Sequence, residues 1–150
     1  MQEVKIIGAG LAGCEAAYQL SQRGFSVQLY EMKPEKKTPA QTEETFAELV
    51  CSNSLKAENL TSGAGLLKAE MRQLGSLLLK AADASRIPAG SALAVDRKKF
   101  SAYVDRVIRT SANIHLVQKE MDFIPEGPCI IATGPLSSSV MMQALKNMLH

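Results

Sequence analysis

Three groups of residues in this 150-residue chain have types and spacings suited to chemistry. The first is Gly8-Ala9-Gly10-Leu11-Ala12-Gly13, a GxGxxG run. Such a run suits a dinucleotide's diphosphate. Gly8 permits a tight turn, Gly10 has no Cβ to hold phosphates off the backbone, and Gly13 lets a helix pack close to a strand. The second is Glu31, eighteen residues beyond Gly13. An acid at about that offset accepts hydrogen bonds from a ribose diol and repels a 2′-phosphate. The third is Cys51, in Val50-Cys51-Ser52-Asn53-Ser54. An exposed thiolate there is a nucleophile, whereas a buried thiol is inert; the residues alone favour burial, because free cysteine is often core.

The surrounding elements suit the first two groups. Val4 to Ile7 is a short apolar run stopped at Gly8, which reads as a buried strand. Leu11 to Arg23 are good helix formers, with Gly24 in the C-cap region, and Phe25 to Tyr30 reads as a second strand. The turn therefore sits inside a βαβ unit, where the helix N-terminus offers unpaired amides and a favourable dipole to phosphate.

Downstream, Glu31 to Thr45 is polar, contains Pro34 and Pro39, and predicts a long loop. Lys33, Lys36 and Lys37 in it face a diphosphate, RNA or plain solvent. Phe46 to Leu55 is ambiguous. Leu67, Met71, Leu74, Leu77, Leu78 and Ala81 lie at helical spacing. They predict one amphipathic helix over Gly65 to Ala84 with a core-facing stripe. Strands are expected at Ala92 to Val95, Asn113 to Val117, Met121 to Ile124 and Cys129 to Thr133. Asp96 reads as the N-cap of a helix running to about Ser111, Pro125 to Pro128 as a turn, and Ser137 to His150 as a last helix.

Composition bounds the rest. There are 17 basic and 15 acidic residues for a net charge of +2, and 46% of residues are hydrophobic, which is globular rather than disordered. Length suggests one domain. The near-neutral balance gives no strong nucleic-acid footprint, though local basic faces remain possible. With no Trp, four Phe and three Tyr, an aromatic base-stacking platform is not expected. Asp96-Arg97-Lys98-Lys99 with Arg106 and Arg109 reads either as a patch for RNA phosphates or, the plainer reading, as a solvated helix face balanced by Asp105.

Three widely spaced cysteines fit a reducing compartment. Cys14 and Cys129 read as structural, one under the helix and one in a buried strand. His115 and His150 are far apart and no CxxC pair exists, so no metal site is expected. The Met1 to Lys5 segment lacks a signal-peptide pattern and no apolar run is long enough for a membrane, so a cytoplasmic location is expected.

A NAD dehydrogenase would continue its strand–helix alternation after the first unit. This chain inserts a long polar loop and returns through a late strand ending in Ala132-Thr133-Gly134. That order resembles the FAD domain of the glutathione-reductase-like flavoproteins. The expected fold is therefore α/β: a Rossmann-like FAD-binding domain of that type over residues 1–150, with a parallel sheet flanked by helices.

The likeness extends further. The GAGLAG turn with Glu15-Ala16-Ala17, Tyr30-Glu31-Met32, and Phe46 to Leu55 (FAELVCSNSL) resemble the folate- and FAD-dependent tRNA (uracil-5-)-methyltransferases. So do Pro88-Ala89-Gly90, Ala92 to Arg97, and Ile124 to Pro128 with Ile131 to Leu136. The LVCSNS run is the most specific element. The resemblance implies transfer of a one-carbon unit from methylenetetrahydrofolate, carried and reduced by FAD, to C5 of a T-loop uridine in tRNA, with NAD(P)H regenerating the flavin. It implies that Gly8, Ala9, Gly10, Leu11, Ala12, Gly13, Glu31, Thr133 and Gly134 bind the cofactor. It also moves Cys51 to a site near the flavin, with its role as nucleophile, proton carrier or bystander open. Members of that family are longer, so an incomplete N-terminal portion is expected. The rival readings are the related tRNA wobble-uridine-modifying flavoprotein, a general FAD- or NAD-dependent oxidoreductase, and a non-catalytic nucleotide-binding module.

Overall fold

The structure is a computed structural model and describes residues 2–149. Met1, at the expected leaderless start, and His150, the expected end of the last helix, lie outside the described residues.

The chain opens with β1 (Glu3–Ile7), α1 (Leu11–Gln22) and β2 (Ser26–Glu31). A long irregular segment then leads to β3 (Ser54–Ala57), α2 (Gly63–Gln73), α3 (Leu77–Ala84), β4 (Arg86–Ile87) and β5 (Ala92–Val95). The last elements are α4 (Arg97–Thr110), β6 (Ile114–Gln118), β7 (Cys129–Ile131) and α5 (Ser139–Leu149). Four strands form one parallel sheet in the order β6-β2-β1-β7. This is the doubly wound arrangement, in which later strands are added on either side of the first.

Alternation along the strands builds the two faces. Ile6, Val27 and Leu29 are fully buried in the main core with Cys14, Ala17, Phe100, Val104 and Ile108. Each such aliphatic side chain contributes about 1.5–3 kcal/mol of burial. The next residue of β1, Ile7, turns to the opposite face and meets Met121 and Met141 of α5. Helices thus cover both sides of the sheet, as expected.

Two expectations need correction. The helix predicted over Gly65 to Ala84 is two helices. Gly75 takes a left-handed φ of +76°, which ends α2. Ser76 then caps α3 by accepting from the Leu79 amide at 3.3 Å. The break also splits the apolar stripe: Leu77 and Ala81 are core, but Leu67 and Leu74 are 55% and 70% exposed. Met121 to Ile124 forms no strand, and Met121 packs instead against Ile7 and Met141. The strand expected at Ala92 to Val95 is present as β5, outside the parallel sheet. It pairs antiparallel with β3 and β4 in a separate three-stranded sheet.

Asp96 caps α4 through Oδ1, which accepts from the Lys99 amide at 3.0 Å. Gly24 follows the C-cap of α1 at a φ of +81°. No described helix is long and apolar enough to cross a membrane.

Candidate functional site

The Gly-rich turn lies at the carboxyl end of β1, where open α/β sheets bind ligands. Its three glycines differ in what surrounds them. A Cβ on Gly8 would sit 2.7 Å from the Ala132 carbonyl oxygen, and its φ of +100° suits only glycine. A Cβ on Gly13 would run into the Gly8 carbonyl oxygen. A Cβ on Gly10 would meet nothing within 4 Å. The space beside Gly10 is therefore free for a ligand, while Gly8 and Gly13 are fixed by the fold.

Gly10 is also the N-cap of α1, and no side chain hydrogen-bonds to the helix start. The first turn of α1 carries no acidic residue. Its orphan amides and positive dipole end are thus left for an outside acceptor. Serine or aspartate at the cap would have filled this role for the fold alone.

Glu31 ends β2 and is 7% exposed. Its Oε2 accepts from the Ala9 amide at 2.8 Å, and its Oε1 accepts from the Lys33 amide at 3.0 Å. Two backbone donors fix the carboxylate beside the turn, and each oxygen retains capacity for another bond. A cleft of about 560 Å³, its open mouth included, runs along this edge. Gly8, Gly10, Glu31 and Thr133 line it, with Tyr30 and Met141 among the other walls.

The remaining expected residues divide. Ala9, Leu11, Ala12 and Gly13 form the turn and helix start but do not line the cleft. Thr133 is held by Ser137, hydroxyl to hydroxyl, and Gly134 turns the chain at a φ of +71° beyond it. Cys51 is exposed, on the segment before β3, and does not line this cleft. Cys14 is fully buried and donates to the Ala9 carbonyl at 3.3 Å. Burial pushes its thiol far above the ordinary range. Cys129 is only half-buried, because β7 is an edge strand of the described sheet; burial raises its thiol as well.

Of the loop lysines, Lys33 faces neither ligand nor solvent. It is 2% exposed, and its Nζ donates to the Thr45 carbonyl. Lys36 pairs with Glu120 at 2.6 Å. Lys37 donates to the Thr42 carbonyl at 3.1 Å. Among the described residues, no cluster of His, Cys, Asp and Glu has a metal-holding arrangement.

Sequence reasoning missed the positioning role of Glu15. Its carboxylate accepts from Ser76 Oγ at 2.9 Å and from the Leu77 and Leu78 amides at 3.2 and 2.9 Å. The residue next to Cys14 in α1 thus caps α3, and so ties the turn's helix to the second layer. Only its place two residues after Gly13 hinted at it. Thr38, Gln41 and Lys119, which also line the cleft, carried no motif.

Residues 3–149 match the model of the glucose inhibited division protein A family. The chain is 56% identical over 146 residues to the methylenetetrahydrofolate–tRNA-(uracil-5-)-methyltransferase TrmFO of Exiguobacterium sibiricum, covering 97% of this chain and 34% of that protein. It is 58% identical over 137 residues to the protein of the same name from Staphylococcus haemolyticus, covering 91% and 32%. The chain therefore spans about a third of the length of the curated relatives it matches. Its fold is similar to the solved structure of GidA from Aquifex aeolicus, with a TM-score of 0.66 at 20% identity over 83% of this chain and 21% of that one.

Proposed function

The chain belongs to the glucose inhibited division protein A family, and from that premise we propose that it is the FAD-binding portion of a flavin-dependent tRNA (uracil-5-)-methyltransferase. The observation that carries the reading is the empty space over Gly10 at an uncapped helix start, beside the backbone-fixed carboxylate of Glu31. A diphosphate fits the first and a ribose diol the second. The names borne by relatives more than half identical to this chain supply the reaction.

In this reading the orphan amides of α1 hold the diphosphate. Glu31 grips the adenosine ribose and excludes a 2′-phosphate by charge. Thr133 lines the cleft with Gly8, and Gly134 turns the chain beyond it. When bound, FAD would carry the one-carbon unit of methylenetetrahydrofolate toward C5 of a T-loop uridine and, reduced by NAD(P)H, would supply the two electrons that bring it to a methyl group. Cys51 is an exposed thiol on a segment outside the cleft, and its role stays open between nucleophile, proton carrier and bystander. Cytoplasmic tRNA is the substrate.

The test is an anaerobic incubation of the polypeptide, as its gene encodes it, with FAD, NADH, methylenetetrahydrofolate and a tRNA transcript. The expected product is 5-methyluridine after nuclease digestion, dependent on both folate and flavin. Unmodified uridine, or methylation needing neither, overturns the reading.

A further inference from the structure

The basic residues are distributed unevenly. Helix α4 carries Arg97, Lys98, Lys99, Arg106 and Arg109 against one acid, Asp105. Its net charge is +4 while the whole chain has +2, so all other residues together sum to −2. At 3.6 residues per turn, Lys98, Lys99, Arg106 and Arg109 fall within roughly 100° of one another along about 16 Å of helix.

This placement opposes what the helix itself needs. Cations belong at a helix C-terminus, yet three stand in the first turn of α4, which holds no acid beyond its Asp96 cap. The fold makes little use of them. Among the described residues, Arg97, Lys99 and Arg106 form no ion pair, and Lys98 reaches Glu43 only at 3.5 Å with an 83% exposed side chain. Arg109 is engaged by Asp105 at 2.8 Å and by the Phe46 ring at 4.5 Å. Local rules broken without structural gain mark functional surface. Arg97 and Lys98 also line a second open groove of about 640 Å³ with Val50, the neighbour of the exposed Cys51. Glu43 and Glu48 line the same groove, so the basic face adjoins the segment that carries the thiol across two carboxylates. Arg106 lies against the half-buried Tyr103 ring at 5.4 Å.

We propose that this face of α4, centred on Lys98, Lys99 and Arg106, docks the phosphate backbone of RNA beside the Cys51 segment. The proposal rests on the reading that the substrate is tRNA. A polyanion complements the only strongly basic element of the described chain, and cations spread along about 16 Å of helix suit an extended backbone rather than one small anion.

The experiment uses the 150-residue chain and a fluorescent T-arm RNA hairpin, with anisotropy read across a salt series. Lys99→Glu with Arg106→Glu is compared with Arg23→Glu with Lys146→Glu, an equal charge change elsewhere. The α4 pair is expected to weaken binding at least tenfold and to reduce the slope of log K against log salt by roughly 1.5. The control pair stays within twofold. The α4 variant melts no lower than the parent, since a Glu in the first turn suits the dipole. Equal affinity of the two variants, or no hairpin binding by the parent, overturns the proposal. So does polyglutamate binding as tight as the hairpin, which identifies an acidic protein partner instead. Flavin titration of the same samples is separate: loss of FAD binding with α4-dependent RNA binding intact overturns the cofactor reading and leaves this surface standing.

Discussion

The Ala9 amide donates to the Glu31 carboxylate at 2.8 Å, joining residues 22 positions apart. The end of β2 thereby holds the Gly-rich turn at the end of β1, and one side chain serves both the fold and the site.

Replacing Glu31 separates these roles. Glu31→Ala leaves the Ala9 and Lys33 amides without their acceptor. Losing an acceptor costs about 1–3 kcal/mol per buried donor, and about 1 kcal/mol lowers Tm by some 2–4 °C at this size. Glu31→Gln keeps the shape but removes the charge. It is expected to lower Tm less while weakening flavin binding at least tenfold. Thermal melts and flavin-fluorescence titrations of both variants check this. Unchanged flavin affinity in Glu31→Gln removes the carboxylate from the site.

Glu15 makes a purely structural prediction. Its carboxylate takes three hydrogen bonds at the start of α3. Glu15→Ala is expected to destabilise the fold by about 1–3 kcal/mol, as the loss of a cap and buried acceptor does. Denaturant unfolding measures it; a midpoint equal to the parent's shows that the contact contributes nothing.

Thiol reactivity follows burial. Cys51 is exposed, Cys129 is half-buried and Cys14 is fully buried. Burial raises the Cys14 and Cys129 thiols, which withholds the reactive thiolate. Iodoacetamide is expected to label Cys51 first and Cys129 slowly, with Cys14 protected until denaturant is added. Peptide mapping by mass spectrometry reads the order, and early labelling of Cys14 contradicts the packing of α1.

Acid sensitivity is predicted around the antiparallel sheet. Hydrogen bonds from Arg86 and then Arg72 hold the Glu58 carboxyl below its usual range, and Arg72 does the same for Asp83. A depressed carboxyl pKa contributes stability that is complete above the ordinary range near 4 and is lost as pH falls through the folded value. Tm is therefore expected to decline below about pH 4, and Glu58→Gln with Asp83→Asn to flatten that decline. An identical acid limb in the variant contradicts the linkage.

The first βαβ unit was legible because three signals coincide there: strand alternation, glycine spacing and Glu31. Asp96 was legible because a cap is a local device. What the sequence hid was long-range. The role of Glu15 depends on α3, 61 residues downstream at Ser76. The antiparallel sheet rests on strands of two to four residues, and β3 contains Lys56 at a φ of +70°, so no alternation reveals it. Gly75-Ser76 did mark the break between α2 and α3. A single glycine inside a helical stripe is weaker than the stripe.

Gly10 tests the account most directly, because a Cβ there would meet nothing within 4 Å in the fold but would take space that the proposed diphosphate needs. FAD is titrated into the parent and Gly10→Val, with circular dichroism as the check on folding. The account predicts saturable flavin binding by the parent and at least a tenfold loss in a folded Gly10→Val. Equal affinity in the two folded proteins contradicts it.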